Sequence, residues 1–453
     1  MNIDPTEFMT RDGLNDRSDD QWYYSFLPYN MAGGSTSPLI PLFITEALRG
    51  TLADVGMVSA IASAASVPAN IMWGNLSDTI KRRRLFVLLG FSGLALALFM
   101  MGVSTDISSY FFANFMLGLL STAAAPIGTV LILEVFQRNE WAKRLGDFSR
   151  VGGIGWVIGL ALGSVWLMLM TGEDQVTPMR ALFIMAASLS VLSVLLAFKW
   201  IPEPEERIER RTVDLKLLQY PLVIFEKARY LPNRIVHVVS VSAGNLRLSC
   251  FPPALRRYYL VIFLLFTGSF SFYVVLPIFL NSYVGLSSSV VFAIYVASAL
   301  LSALNYRRAG RIVSERGGKV VQNMSAFGRM MLFPSFFLMT LLPLGETALI
   351  LGFLLLHALV GLCWAGLSVA GSSLVSNLSI KEFRAEGMGM YNAIQGLAAI
   401  AGSMLGGVVA QFLGYLVTFL LASLFILAAI LLLRRIDVET PAADENSSGT
   451  SPL

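Results

Sequence analysis

The feature that most constrains the fold of this chain is a series of apolar segments, each long enough to cross a lipid bilayer. Hydrophobic residues make up 55% of the 453 residues and charged residues only 14%, which is more apolar surface than a soluble core of this length needs. The sequence therefore predicts an all-α integral membrane protein. With about 20 apolar residues needed per crossing, twelve spans are predicted, the first starting near residue 22 and the others at about 54–73, 85–103, 108–133, 147–170, 179–198, 257–281, 287–304, 320–342, 347–372, 388–413 and 414–433.

Polar segments divide the chain into two groups of six spans. The first twenty residues are rich in Asp and lack the pattern of a cleavable signal peptide, so the first span is expected to be retained. The long break after the sixth span is rich in Lys, Arg and Pro and contains no apolar run long enough to cross. The predicted organisation is an N-terminal cytoplasmic arm (1–21), a six-helix bundle (22–198), a central cytoplasmic linker (199–256), a second six-helix bundle (257–433) and a cytoplasmic tail (434–453).

The positions of Lys and Arg predict the orientation, because cytoplasmic loops carry the excess of these residues. With both termini in the cytoplasm, only Arg49 and Arg180 lie near outer loops, while Arg150 and Arg329 fall within spans. This topology accounts for the net charge of +4. Nucleic-acid binding is not expected, since the basic residues do not gather on one soluble face. The chain is expected to be a multi-pass protein of the cell membrane.

Proline and glycine interrupt the first span. Its middle contains Pro28, Asn30, Gly33, Gly34 and Pro38, and backbone groups freed at membrane depth need protein or water to satisfy them. We therefore expect this helix to line a cavity, with Asn30 among its polar groups.

A glycine followed by a block of cations separates the second and third spans. Gly74 has no side chain, so two helix ends are expected to approach closely there, and Asp78 follows one turn later. Lys81, Arg82 and Arg83 are expected to stay on the cytoplasmic side. The sequence predicts a charged hairpin between two membrane helices.

The two halves of the sequence repeat one another. A shift of 236 residues places Gly74 on Gly310, in a second loop that again joins a glycine to a basic residue, Lys319. From the fourth span onward, a shift of 243 makes two glycine ladders coincide: Gly146, Gly153, Gly159 and Gly163 fall on Gly389, Gly396, Gly402 and Gly406. Small residues also recur at every fourth position, as in Gly155, Gly159 and Gly163 and in Ala398, Gly402 and Gly406, and this spacing allows close packing in lipid. The fifth and eleventh spans are therefore expected to be contact helices at the seam between the halves.

The loop that runs from Gly74 through Asp78 to Arg83 resembles the signature between the second and third helices of the major facilitator superfamily. The weaker repeat at Gly310 and Lys319 is similar to the corresponding loop of that family. The resemblance covers about residues 22–433, and it implies twelve transmembrane helices in two six-helix bundles related by a pseudo-two-fold axis along the membrane normal. It also implies that these bundles rock around a central site lined by the first, fourth, seventh and tenth spans.

The resemblance gives the charged loops the role of a cytoplasmic gate. Asp78 would lie against the N-terminus of the eleventh span, where the helix dipole favours a carboxylate, and would act as a latch on the outward-open state. A simple topology anchor is the alternative. Arg150 would join Asp78 or the loop from Gly310 to Lys319 in this gate, or would be an interfacial arginine.

The sequence departs from the family pattern in several places. Lys81 stands where the family usually has glycine, and Ser314 stands where the first half has Asp78. Asn114, four residues before Gly118, replaces an arginine associated with proton-coupled antiport, and the fifth span lacks a Gly-Pro pattern typical of drug/proton antiporters. These differences weaken the hypothesis of drug/proton antiport.

Polar side chains inside spans are costly and are therefore functional candidates. His357 lies near mid-membrane in the tenth span, and the duplication pairs it with Asn114. It is expected either to exchange protons or contact a substrate, or to bond a neighbouring helix. Trp364 and Gln395 complete the candidate substrate or coupling residues. Arg329 lies in the ninth span, which the family places at the periphery, so it is expected to snorkel to the surface or to pair with another helix.

Several functional classes are not expected. Cys250 and Cys363 form no metal or redox motif, and His237 and His357 offer no nucleophile–base spacing or metal-ligand cluster. No catalytic residue, metal or cofactor is therefore predicted, and no phosphate-binding loop of an ATP-driven pump occurs.

The leading hypothesis is a secondary active transporter, monomeric in the lipid bilayer. It would move a small neutral or amphipathic organic solute by alternating access, with efflux as one direction and a proton as a candidate coupling ion. A strongly cationic substrate is not expected, because no carboxylate lies in the spans away from their ends. A non-transporting sensor on the same fold and an uptake system for an anionic metabolite are the alternatives.

Overall fold

The structure is a computed structural model that describes residues 21–80, 82–136, 140–170, 172, 174–201, 251–379 and 384–436. All regular elements in these ranges are helices. Large apolar side chains are exposed along many of them, including Leu304 at 74% and Phe412 at 77%. Such exposure suits helices whose outer faces contact lipid instead of water.

The described residues before position 202 form eight α-helices, preceded by a 3₁₀ turn at Gln21–Ser25. They are α1 (Phe26–Thr36), α2 (Leu39–Glu46), α3 (Leu52–Ile80), α4 (Arg83–Val103), α5 (Ile107–Ser121), α6 (Ala125–Val135), α7 (Trp141–Leu169) and α8 (Val176–Trp200).

Five further α-helices follow position 250 in the described part of the chain, and a π-helical turn at Phe279–Tyr283 extends the first of them. They are α9 (Pro253–Ile278), α10 (Ser288–Arg316), α11 (Gly318–Met339), α12 (Glu346–Leu378) and α13 (Arg384–Arg434). The predicted arm, most of the linker and most of the tail lie outside the described residues.

Within the described ranges, eight helical segments are long and apolar enough to cross a membrane: Leu52–Gly74, Arg83–Val103, Arg144–Leu169, Val176–Trp200, Pro253–Tyr283, Ser288–Arg316, Glu346–Leu378 and Gly387–Arg434. The predicted spans all fall on helices. However, the first and fourth are each divided between two shorter helices, α1 with α2 and α5 with α6. Pro38 and Pro126 lie at these breaks, where proline removes a backbone donor and clashes with the preceding turn.

The last helix contains a single sharp break. Gly414 has φ 84° and ψ 172° inside α13, a conformation that glycine adopts without steric penalty. This glycine stands where the sequence places the boundary between the eleventh and twelfth spans.

Contacts between residues divide the structure into two compact units. The first holds the described residues within 1–50, 61–244 and 287–296, and the second holds those within 51–60, 245–286 and 297–453. The start of α3 thus belongs to the second unit, and the start of α10 belongs to the first.

The contacts inside each unit repeat under the two shifts found in the sequence. A methyl group added to Gly159 would lie closer than 3.0 Å to the carbonyl oxygen of Met31, and one added to Gly402 would approach that of Thr267 in the same way. Further equivalent pairs are Gly118 with Ala62 and Gly361 with Ser298, Gly128 with Phe148 and Gly371 with Tyr391, and Phe43 with Tyr110 and Phe279 with Phe353. The repeated sequence therefore makes repeated helix packing.

The glycine ladders make the predicted contacts with the other half only in part. Most of their tight contacts join helices of one half of the sequence: Gly155 and Gly159 pack on α1, and Gly402 packs on α9. Only parts of the two helices meet the other half. Gly163 contacts Phe292 of α10 within the first unit, and Gly407 contacts Gly56 of α3 within the second. The ladders mainly serve packing inside each repeat, because each brings its helix against the first helix of its own half.

Candidate functional site

A cavity of about 360 Å³ lies in the first unit between α1 and α7. Its lining is mostly aromatic and small, with a few polar groups: Phe26, Tyr29, Asn30, Phe148, Ser149, Gly152, Gly153 and Trp156. Binding sites for small organic molecules are typically apolar concavities with a few placed polar groups. The predicted residue Asn30 is part of this lining.

The interrupted first span explains how α1 and α7 meet at this cavity. A methyl group on Gly34 would lie closer than 3.0 Å to the carbonyl oxygen of Trp156, so only glycine lets the backbones approach there. The side-chain amide of Asn30 donates to the carbonyl of Phe26 at 2.8 Å, and the hydroxyl of Thr36 donates to that of Ala32 at 2.8 Å. The polar side chains of α1 are thus partly satisfied by their own helix.

Asn114 is buried in the first unit with 1% of its surface exposed. Its amide donates to the carbonyl of Tyr110 in the preceding turn at 2.9 Å, and the Tyr110 hydroxyl donates to the carbonyl of Ile40 at 3.0 Å. This chain of bonds links α5 to α2. Asn114 therefore lies in the core of the unit and does not line the cavity between α1 and α7.

Arg329 forms the most unusual polar cluster of the second unit. It lies halfway along α11 and is 0% exposed. Its guanidinium donates to the hydroxyl of Ser269 at 3.0 Å and to that of Tyr273 at 3.2 Å, both on α9. The sequence predicted that the Arg329 side chain either snorkels to the surface or pairs with another helix. The pairing is confirmed and the snorkelling is wrong, because the hydroxyls of α9 hold the side chain in the interior.

Two aromatic rings complete the surroundings of Arg329. Its Cζ lies 5.4 Å from the ring centre of Tyr273 and 5.1 Å from that of Trp364, distances at which a cation is attracted to an aromatic face. His357 is 1% exposed, and its ring centre lies 6.1 Å from that of Tyr273. The structure thus places Trp364 beside Arg329 and His357 beside Tyr273, within one cluster.

Gln395 lies on α13, half-buried and one turn beyond the buried Tyr391. Among the described residues, the hydrogen bonds and ring contacts of Arg329 are made by α9 and α12 and not by Gln395.

The charged loop between α3 and α4 is shorter than predicted. Helix α3 continues to Ile80, and α4 begins at Arg83, so Gly74 and Asp78 are helical. A methyl group at Gly74 would meet no described atom within 4 Å. The expected close approach at this glycine is therefore wrong in the described part of the chain. Lys81 and the side chain of Asp78 lie outside the described residues.

Arg82 and Arg83 have different surroundings. Arg82 is exposed at the N-cap of α4. The Arg83 side chain is only 8% exposed and pairs with Glu134 of α6 at 2.6 Å between Nη2 and Oε1. Its Nη1 also donates to the hydroxyl of Ser77 at 2.7 Å. Arg83 thus ties the N-terminus of α4 to the ends of α3 and α6.

The second loop is also more helical than its sequence suggests. Helix α10 includes Gly310 and runs to Arg316. A methyl group at Gly310 would meet no described atom within 4 Å. The turn occurs at Gly317, whose φ of 82° favours glycine. Lys319 donates to the carbonyls of Arg434 at 3.1 Å and Ile436 at 2.7 Å. It therefore caps the end of α13, where a cation is favoured by the helix dipole.

Arg150 is exposed on α7. No ion pair of Arg150 occurs among the residues that the structure describes. Its proposed part in a gate stays a prediction.

Two carboxylates in short connections have perturbed acidity. The backbone N–H of Ser109 donates to the side chain of Asp106, the N-cap of α5, and this bond lowers the pKa of Asp106. The hydroxyl of Thr177 and the N–H of Val176 lower the pKa of Asp174 before α8. Hydrogen bonds to the charged form stabilise it in both cases. No group of His, Cys, Asp and Glu that could hold a metal occurs among the described residues.

Sequence reasoning missed two features of these sites. Glu134 was not recognised as the partner of Arg83, because the two are 51 positions apart. Arg329 was set aside as peripheral, although an arginine inside an apolar span was itself a signal. Only the packing of α9, α11 and α12 shows that it lies at an aromatic cluster.

A protein-family model matches most of this chain. The model for the Major Facilitator Superfamily matches residues 24–356 and 347–452. Among curated proteins, the chain is 28% identical over 179 residues to the multidrug resistance protein MdtG of Enterobacter lignolyticus (strain SCF1), covering 38% of this chain and 40% of MdtG. It is 23% identical over 145 residues to the riboflavin transporter RibZ of Clostridioides difficile (strain 630), covering 32% of this chain and 30% of RibZ. The chain therefore spans less than half the length of these relatives.

Solved structures share the fold. The nucleoside transporter NupG matches with a TM-score of 0.68 and 14% identity, over 93% of this chain and 99% of NupG. An identity this low reports the fold alone.

Proposed function

Because the chain belongs to the major facilitator superfamily, we propose that it is a secondary active transporter of a small neutral or amphipathic organic solute. It acts in the cell membrane by alternating access. The observation that carries this proposal is the family match along both halves of the chain. The equivalent glycine contacts of the two halves, such as Gly159 with Met31 and Gly402 with Thr267, support it.

The proposed architecture has twelve membrane-spanning helices in two six-helix bundles, at 22–198 and 257–433. The arm, the linker 199–256 and the tail are cytoplasmic, and the protein works as a monomer. Support comes from the break at Gly414 in α13, which divides one long helix into two segments of spanning length. The excess of Lys and Arg in the segments assigned to the inside supports the orientation.

The proposed substrate and coupling residues are Asn30, Asn114, His357, Trp364 and Gln395. The aromatic lining of the cavity beside Asn30 suits a solute with an apolar body, and few polar groups are available to specify it. The names of MdtG and RibZ, a multidrug resistance protein and a riboflavin transporter, are consistent with an organic solute of this kind. Efflux is one direction open to this transporter, and His357 is the proposed carrier of a coupling proton.

The proposed gate consists of the two charged loops, with Gly74, Asp78, Lys81, Arg82, Arg83, Arg150, Gly310 and Lys319. The ion pair between Arg83 and Glu134 supports a mechanical role for the first loop, because it fixes the start of α4. Asp78 acts as the latch on the outward-open state. Asp78→Asn should lower transport while the protein stays folded, and wild-type rates in proteoliposomes would exclude the latch.

Solute flux into sealed proteoliposomes tests the proposal. Purified protein is first screened by thermal shift against a library of organic solutes, because a ligand that binds the folded state raises its stability. Solutes that stabilise the protein are then assayed for uptake with and without an imposed pH gradient. Gradient-driven accumulation is the expected result. Binding without flux would favour the alternative of a non-transporting sensor.

A further inference from the structure

Arg329 carries a positive charge into the interior of the second unit. Arginine stays protonated in proteins, and this side chain is 0% exposed. A charge removed from water is costly unless a counter-charge and hydrogen bonds compensate it. The compensation of Arg329 therefore indicates what the site is built to hold.

Among the described residues, no carboxylate pairs with Arg329. The acidic residues between positions 257 and 433 are Glu315, Glu346, Glu382 and Glu386. Glu315, Glu346 and Glu386 lie at helix ends, and Glu382 lies outside the described residues. None of the ion pairs formed among the described residues involves Arg329. Two hydroxyls and two aromatic faces surround the charge, and its Nε is buried without a described hydrogen-bond partner.

The two hydroxyls bonded to Arg329 differ in whether they can still donate a hydrogen bond. Ser269 accepts from the guanidinium and donates to the carbonyl of Leu265 at 2.9 Å, so its proton is used. Tyr273 accepts from the guanidinium at 3.2 Å and donates to no acceptor in the described part of the chain. A hydroxyl that accepts from a cation is a stronger donor for the next group. The proton of Tyr273 is therefore available to an acceptor outside the protein.

The other half of the sequence shows that its repeat packs without this cluster. The shift of 236 places Arg329 on Gly93, Ser269 on Gly33 and Tyr273 on Ser37, and the shift of 243 places Trp364 on Ser121. A methyl group at Gly93 would lie closer than 3.0 Å to the side chain of Leu120, so this position serves tight packing in the first unit. The repeated helix packing does not require an arginine there.

We propose that Tyr273, polarised by Arg329, binds the negatively charged group of an amphipathic organic anion, and that such an anion is the transported solute. The Tyr273 hydroxyl donates a hydrogen bond to the carboxylate, and the half-buried rings of Tyr273 and Trp364 contact the apolar body. Arg329 acts as a positioning residue, because it supplies the charge through Tyr273 and is not itself exposed. This inference rests on the proposed transport function and narrows its substrate class.

Three probes that share one aromatic body and differ in charge test this assignment. They are naphthalene-2-carboxylate, naphthalene-2-carboxamide and 2-naphthylmethylammonium, each titrated against the purified full-length protein by thermal shift and by tryptophan quenching. We expect the carboxylate to bind at least tenfold more tightly than the other two. Equal affinity for the amide, or preference for the cation, would overturn the proposal.

Variants separate a binding role from a structural one. Tyr273→Phe keeps the ring and removes the donor, so it should abolish the preference for the carboxylate, as should Arg329→Gln. Arg329→Lys should retain part of it. Matched controls are Tyr283→Phe, which removes the hydroxyl of a half-exposed ring stacked on Phe279, and Arg180→Gln. Arg180 also lies over an aromatic ring and bonds a carbonyl, but in the first unit. Both controls should keep the wild-type selectivity.

The possible results are distinct. If the Arg329 variants do not fold, the wild-type charge preference and its loss in Tyr273→Phe decide the proposal. Retained selectivity in a folded Tyr273→Phe would refute it. Carboxylate binding through Tyr273 without flux in proteoliposomes would support the anion site and reject the transport function. Flux of neutral solutes with no charge preference would support the transport function and reject the anion site.

Discussion

The packing of Gly159 against α1 leads to a stability prediction that can be worked out from the structure. A methyl group on Gly159 would lie closer than 3.0 Å to the carbonyl oxygen of Met31, a backbone atom that cannot rotate away. In Gly159→Ala, α7 and α1 must therefore separate, and overpacking of this kind costs about 1–3 kcal/mol. On the same helix, Gly153 is exposed, and a methyl group there would meet no described atom within 4 Å.

Gly153→Ala is the matched control for this prediction. Alanine stabilises an exposed helix position relative to glycine by roughly 0.5–1 kcal/mol, so the two variants should differ by about 1.5–4 kcal/mol. An unfolding entropy near 2.1 cal/mol/K per residue over roughly 360 described residues corresponds to about 1.3 °C per kcal/mol. The melting temperature of Gly159→Ala should therefore lie about 2–5 °C below that of Gly153→Ala.

The repeat provides an independent test of the same reasoning. Gly402→Ala and Gly389→Ala should show the same order in α13, because Gly402 faces the carbonyl of Thr267 and a methyl group on the exposed Gly389 would meet no described atom within 4 Å. All variants are compared in detergent by fluorescence-detected melting at one scan rate, since membrane proteins often unfold irreversibly. If Gly159→Ala and Gly153→Ala melt together, α1 and α7 are not packed as the structure describes.

Three further predictions concern charged and titratable groups. Glu134→Gln should destabilise the protein by about 1–3 kcal/mol, because it removes a charged partner of the nearly buried Arg83. In a double-mutant cycle, Glu134→Gln should cost less stability when Arg83 is already Met, and additive effects would contradict the ion pair. Asp106→Ala should lower the melting temperature at neutral pH. The pKa of Asp106 is lowered in the folded state by the N–H of Ser109, so its contribution is present above the ordinary value of about 4 and is lost as the pH falls through the folded value; a gap to wild type that stays constant down to pH 3 would contradict this. His357→Ala should flatten the pH dependence of transport between about pH 5.5 and 8, because it removes the side chain proposed to carry the coupling proton, and an unchanged profile would exclude proton coupling through this residue.

The sequence was sufficient to predict the class of fold, because few backbone structures can cross a lipid bilayer. Backbone groups in lipid must be satisfied within a helix, so runs of about 20 apolar residues read directly as helices. The repeat was also visible, since close packing in lipid selects small residues at fixed spacing, and Gly159 and Gly402 occupy equivalent contacts as their alignment requires.

Local breaks were harder to predict than spans. The sequence signalled the interruption of the first span through Pro38, but it predicted a turn at Gly74 that is helical in the structure. Glycine in a helix is tolerated at a modest cost, and hydrogen bonding along α3 outweighs it. Gly317, with its positive φ, forms the corresponding turn in the second half.

What the sequence alone determined is an apolar, duplicated chain with few polar groups in its spans, because lipid selects composition and spacing along each helix. What the tertiary structure decided is which of those polar groups meet. Arg83 bonds Glu134, which is 51 positions away in the sequence, and Arg329 bonds Tyr273, which is 56 positions away. Such pairs depend on how helices rotate and pack against one another, a three-dimensional property that the pattern along one helix does not contain.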